Sequence, residues 1–135
     1  MEIPRLYTLD EANALLPRVR PLVEKLVAHK AEVDQNRHEF EALEASKASG
    51  NGYDLKRETL ARRITELMKE VRVALQELYE LAIQVKDMDI GLVDFPARRA
   101  TGEVVNLCWK LGEESIMYWH PLNSNFAGRK PLSEF

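Results

Sequence analysis

The 135-residue chain predicts an α+β fold, a long antiparallel helical hairpin packed against a small C-terminal antiparallel β-sheet. Three observations carry this. Apolar residues recur at steps of four and three through two long stretches, the spacing that keeps one stripe of a helix facing a partner. The turn signal Gly50-Asn51-Gly52 separates those stretches. Beyond Lys86 the composition changes, and six of the ten aromatic residues lie in this last third. The length suits one domain over 1–135. Within it, 1–86 form the helical hairpin with a short leading helix, and 87–135 form a β-meander and a tail.

The first helix opens at Thr8-Leu9-Asp10-Glu11, a capping box in which the Thr8 hydroxyl accepts from the Glu11 N–H and the Glu11 carboxylate reaches back. Its seam runs through Leu15, Val19, Leu22, Leu26, His29, Val33, Asn36, Phe40 and Leu43. Pro17 and Pro21 interrupt it, each lacking the N–H that an interior helical residue donates. A break near them and a long helix to about Ala45 are expected. His29 and Asn36 are seam positions that read either as a buried polar site or as register control.

Residues 46–54 form the turn, with Asp54 as cap of the next helix and Glu58 favouring its positive end. The second seam, Leu60, Ile64, Leu67, Val71, Ala74, Leu78, Leu81 and Val85, contains no Pro or Gly and is the most regular part of the chain. Further apolar residues flank both seams: Leu16, Val23 and Val27 on the first helix, and Met68, Leu75, Tyr79, Ala82 and Ile83 on the second. Two helices alone do not cover stripes this wide. The surplus must meet the C-terminal segment or a second copy of the chain, so a homo-oligomer, a dimer, is expected.

In the last third, residues 91–96 (GLVDFP) read as a short strand ended by proline. Residues 104–110 and 115–120 follow as two strands joined by the turn Leu111-Gly112-Glu113-Glu114. A two-residue turn would pair Lys110 with Ser115, Trp109 with Ile116 and Leu107 with Tyr118. One face would then carry Val105, Leu107, Trp109, Ile116, Tyr118 and His120 and pack on the hairpin. The other would carry Asn106, Cys108, Lys110, Ser115, Met117 and Trp119.

Charge and composition exclude several functions. Nineteen Lys+Arg against twenty-two Asp+Glu give a net charge of -3, which argues against nucleic-acid binding through Arg98, Arg99, Arg129 and Lys130. No apolar run approaches the roughly 18–20 residues of a membrane span, so no membrane partner is expected. The N-terminus lacks a basic segment leading into an apolar one and does not read as a secretory signal. Cys108 is the only cysteine, which excludes an internal disulfide and fits a reducing cytoplasm.

Four polar groups stand among apolar neighbours: Lys86, Asp87, Asp94 and His120. Asp94 lies in a strand where acidic residues are disfavoured, and reads as solvent-facing or paired with Arg98, Arg99 or Arg129. His120 ends the last strand, where histidine serves as acid, base or ligand. The two suit an acid/base pair if the sheet brings them together. Cys108 has no activating neighbour on its expected face except Lys110 and reads as inert. No cofactor and no metal site is expected. There is no P-loop, dinucleotide glycine set, nucleophile elbow or paired-Cys zinc spacing, and His29 and His38 do not share a helix face.

Residues 91–96 (GLVDFP), 107–113 (LCWKLGE), 118–120 (YWH) and 126–129 (FAGR), with 7–13 (YTLDEAN) and 15–17 (LLP) at the opening, resemble the signature blocks of a small bacterial family known as a domain of unknown function. The resemblance covers nearly the whole chain. It implies a bacterial, cytoplasmic origin and an intact single domain, and supplies no activity, ligand or catalytic residue. Two functions therefore stand side by side. One is a non-enzymatic oligomeric interaction protein with an unidentified protein partner. The other is a small-molecule protein, or an enzyme, with a pocket between hairpin and sheet. In that pocket Asp94 and His120 would flank an anionic ligand, Arg129 would clamp it, and Trp109 or Trp119 would form its wall.

Overall fold

The computed structural model describes residues 5–46 and 50–135. Helix α1 spans Leu9–Ala45 and helix α2 spans Asn51–Glu80. A five-stranded antiparallel meander follows, with β1 Gln84–Asp87, β2 Leu92–Arg98, β3 Val104–Lys110, β4 Tyr118–Pro121 and β5 Lys130–Pro131 in that spatial order. The expected α+β architecture holds, with two strands more than anticipated. No helix among the described residues is long and apolar enough to cross a membrane.

The capping box at Thr8 and Glu11 forms as expected, with backbone-to-side-chain distances of 2.9 and 3.1 Å. The break at the prolines does not form, and α1 runs through Pro17 and Pro21 without interruption. Both prolines are exposed, on the side of the helix away from its buried stripe. Water can serve the carbonyls they leave without a donor. That stripe is Ala12, Leu16, Val19, Val23, Leu26 and Val33. It is rotated from the expected seam, so that Leu16 and Val23 take the core positions while Leu15 and Leu22 are half-buried.

On α2 the buried residues Leu60, Leu67, Val71, Ala74 and Leu78 follow the expected seam. Asp54 is not the cap. The residue before the helix is Gly50, at φ 112, and Asp54 lies in the first turn with its N–H donated to the Gly50 carbonyl. Residues 47–49 of the expected connection lie outside those described. The helix also ends earlier than its periodicity suggests. Ala82, at φ 61, turns the chain so that the Ile83 N–H reaches the Leu78 carbonyl at 3.0 Å and its own N–H reaches that of Tyr79 at 2.9 Å, closing the last carbonyls of the helix. Val85, which continues the helical spacing, is therefore in β1.

Register decides what the sheet presents. Leu107 pairs with Trp119, Cys108 with Tyr118 and Asn106 with His120, one residue off the expected alignment. A slip of one residue sends every β4 side chain to the other face. Trp119 thus joins Val93, Phe95, Ala97, Val105, Leu107 and Trp109 on the inner face, packed against the hairpin. Tyr118 and His120 go to the outer face with Asp94, Asn106 and Cys108. The cause lies in the loop. β4 begins at Tyr118, and the connection from Lys110 is long enough for Ile116 to be buried and for its N–H to donate to the Asn13 side chain at 2.8 Å.

Candidate functional site

The centre of the outer face is buried. Asp94 and Cys108 have no exposed surface and His120 is 2% exposed. The register explains their meeting. Asp94 lies directly opposite Cys108 across β2 and β3, and His120 lies two residues along from Tyr118, the β4 partner of Cys108. One ligand-type atom from each of the three residues lies within 4.8 Å of the others.

His120 Nε2 is 3.0 Å from both carboxylate oxygens of Asp94. Its Nδ1 is 2.8 Å from the Pro121 carbonyl oxygen. A carbonyl only accepts, so Nδ1 carries a proton and donates it there. The expectation that Asp94 reaches solvent or pairs with an arginine is corrected, since its partner is His120. The surroundings of Cys108 agree with the inert reading, since they hold the thiol protonated. Its neighbours are Asp94 and His120, and burial, followed by the Asp94 charge, pushes the thiol up to about 12.

Asp94 and His120, but not Cys108, line a cavity of about 440 Å³ together with Lys86, Asp87, Leu92, Ser124, Asn125, Phe126 and Ala127. It opens on the face away from the helices, which corrects the expected position between hairpin and sheet. All four polar residues that stand out in the sequence therefore line one cavity. Its cover is the segment after β4, where the Asn125 side chain accepts from the Ala127 N–H at 3.1 Å. Gly128 belongs to the same cover, and a Cβ there would come within 2.6 Å of the Ser124 hydroxyl. Asp87 is occupied by the β1–β2 turn, accepting from the N–H of Asp89 at 2.8 Å. Lys86 has no ion-pair partner among the described residues.

The other expected members stand elsewhere. Arg129 is held by both oxygens of Glu113, at 2.8 and 2.9 Å, and its guanidinium lies 4.0 Å over the Tyr118 ring. It braces the cluster, with a further contact of 3.5 Å to the Cys108 carbonyl, and its charge is already matched. Trp109 and Trp119 are on the inner face and do not wall the cavity. The Trp109 indole donates to the Glu113 carbonyl at 2.9 Å. Trp119 meets Phe135 edge to face and lies under Arg99 at 4.4 Å. Arg99 is itself paired with Glu103 at 2.8 Å. His29 and Asn36 form no buried site. His29 meets Glu70 across the hairpin, and Asn36 bonds back to the Glu32 carbonyl at 2.8 Å.

The chain belongs to the family described as "Uncharacterized conserved protein (DUF2203)", whose model matches residues 5–132. No curated protein and no solved structure matches it.

Proposed function

We propose that this chain is a ligand-binding protein whose site is the Asp94–Cys108–His120 cluster and the cavity above it. The observation that carries the reading is the burial of these three groups, two of which, Asp94 and His120, line a 440 Å³ cavity. Removing a carboxylate and an imidazole from water is costly, and a buried ion pair is commonly no more stabilising than apolar residues of the same volume. A cluster kept at that expense beside a cavity of metabolite size marks a binding or reacting site. Lys86 at the rim favours an anionic or polar small molecule. A reducing compartment such as the cytoplasm suits the reading, because the single thiol has to stay reduced.

A thermal-shift series with phosphorylated and carboxylate metabolites tests this. A ligand at a hundred times its Kd adds about 2.7 kcal/mol to folding stability. The expected hit is weakened in Lys86→Ala, an exposed position whose change leaves the fold intact. Absence of any hit in the wild type across the series would remove the reading.

A second reading, a homodimer, is favoured by the exposed apolar side chains of α2. Tyr79 is 77% exposed and Val73 57%, on either side of the Arg72–Gln76 ridge. The patch is smaller than the sequence suggests, because Leu16, Val23 and Ile83 are buried in the chain's own core. Analytical ultracentrifugation at micromolar concentration is expected to give a dimer that Tyr79→Glu dissociates. A wild-type monomer would end this reading.

A further inference from the structure

We propose that Asp94, Cys108 and His120 bind one divalent transition-metal ion of the zinc class, through a carboxylate oxygen, Sγ and Nε2, with a further coordination position open to the cavity. This names a ligand for the site put forward above and rests on that choice of site.

The donor set comes first. Carboxylate, thiolate and imidazole together suit a borderline-soft divalent ion such as Zn²⁺ or Co²⁺. Ca²⁺ and Mg²⁺ are poorly served, since they require six or more oxygen ligands and the cluster offers one carboxylate. Around a tetrahedral ion, bond lengths of about 2.0–2.3 Å place ligand atoms about 3.3–3.7 Å apart. The Asp94–His120 contact of 3.0 Å and the outer bound of 4.8 Å bracket that range. Side-chain rotations of about 1 Å at the donor atoms close the set.

The second observation is orientation. Metal-bound histidines commonly donate their other ring N–H to a backbone carbonyl or carboxylate, which fixes the tautomer and aims the ligating nitrogen. The Pro121 carbonyl does this for His120, at 2.8 Å from Nδ1. Nε2 then faces a carboxylate, and two acceptors at 3.0 Å are joined only by a positive charge between them, either a proton or a metal ion. Arg129 does not supply that charge, because Glu113 holds it.

Third, the charges balance. With the ion absent, the cluster holds a thiol proton and the proton shared by Asp94 and His120, and its net charge is zero. A divalent ion bound by thiolate, carboxylate and neutral imidazole also gives zero. Binding therefore exchanges one M²⁺ for two protons released to solvent, and no net charge is left in a buried site. Finally, Asp94 and His120 both line the cavity, so three protein ligands leave a position that water or a cavity ligand can take.

The test uses the full chain, stripped with a chelator, dialysed, and titrated with Co²⁺ alone and then Zn²⁺. The expected result is one Co²⁺ per chain, a thiolate-to-cobalt charge-transfer band, and loss of that band as Zn²⁺ displaces cobalt. Cys108→Ser should abolish the band. His120→Gln and Asp94→Asn should lower Zn²⁺ affinity at least tenfold. The wild type alone decides if a variant fails to fold. Folded wild type that gives no charge-transfer band, or that binds Co²⁺ without one, overturns the proposal. The two readings fail separately. Metabolite hits without the band would leave the cavity reading and remove the metal, whereas the band without metabolite hits would make the ion a structural ligand.

Discussion

The inner face of the sheet and the centre of its outer face are both buried and differ in what they bury. The inner face places Val93, Phe95, Ala97, Val105, Leu107, Trp109 and Trp119 against the helices, and these apolar groups gain from leaving water. The outer face buries Asp94, Asn106 and His120, groups that lose hydration and must be repaid by partners. The same strands carry both sets on alternating residues, one step out of phase. The difference teaches that the inner face accounts for the fold and that the outer face is held in place by it.

The largest effects should come from breaking either face by one side chain. Trp109→Ala leaves a cavity under the hairpin and is expected to lower unfolding free energy by about 3–5 kcal/mol in urea. His120→Leu should cost a similar ~3–5 kcal/mol for a different reason, because it strands the Asp94 carboxylate. The two separate on adding Asp94→Leu. That second change should offset the loss in His120→Leu, because no stranded charge remains, and should not offset that in Trp109→Ala. Equal effects of Asp94→Leu in the two backgrounds would contradict the distinction.

Gly91 sharpens the account of how the inner face is closed. It sits at φ 72 in the β1–β2 turn, and a Cβ there would come within 2.8 Å of the Leu111 Cβ and 2.9 Å of the Val23 Cγ1. Gly91→Ala combines a left-handed backbone with overpacking, and about 2–4 kcal/mol of destabilisation is expected by denaturant titration. A loss below about 1 kcal/mol would mean that α1 does not approach the turn this closely.

Per pH unit, the smallest effect concerns the thiol. Cys108 ionises near 9 when unfolded and is pushed up to about 12 when folded. Between those values the folded chain keeps a proton that the unfolded chain releases, so stability falls as pH rises. Wild type should lose up to about 1.4 kcal/mol per pH unit above pH 9 relative to Cys108→Ala, measured without added metal. Equal slopes in the two proteins would show that the thiol is not buried beside a carboxylate.

Much of this was legible in the residues, and what was not has local causes. The seam of α2 is unbroken and its buried positions match. On α1, Pro17 and Pro21 are legible as breakers only until their face is known, and exposure makes them harmless. The end of α2 carries no glycine, because Ala82 takes the left-handed position itself, so the helical spacing overran into β1. Asp94 and His120 stood out by type, and with Lys86 and Asp87 they line one cavity. Cys108 did not stand out. Residues 111–114 read as a two-residue turn, but the loop extends to Met117 and is anchored by the Ile116 N–H to Asn13, a contact between residues far apart in the chain. That one-residue difference moved Trp119 into the core and His120 beside the thiol.

The most direct measurement is the urea stability of the double variant Asp94→Leu/His120→Leu, with the cavity-ligand and Zn²⁺ thermal shifts recorded alongside. If the outer cluster exists for binding, replacing both charges together leaves an apolar pair. Stability then stays level or rises by about 1–4 kcal/mol, and the shifts disappear. A double variant destabilised by more than about 3 kcal/mol, as a stranded partner would be, would show the cluster to be part of what holds the fold together.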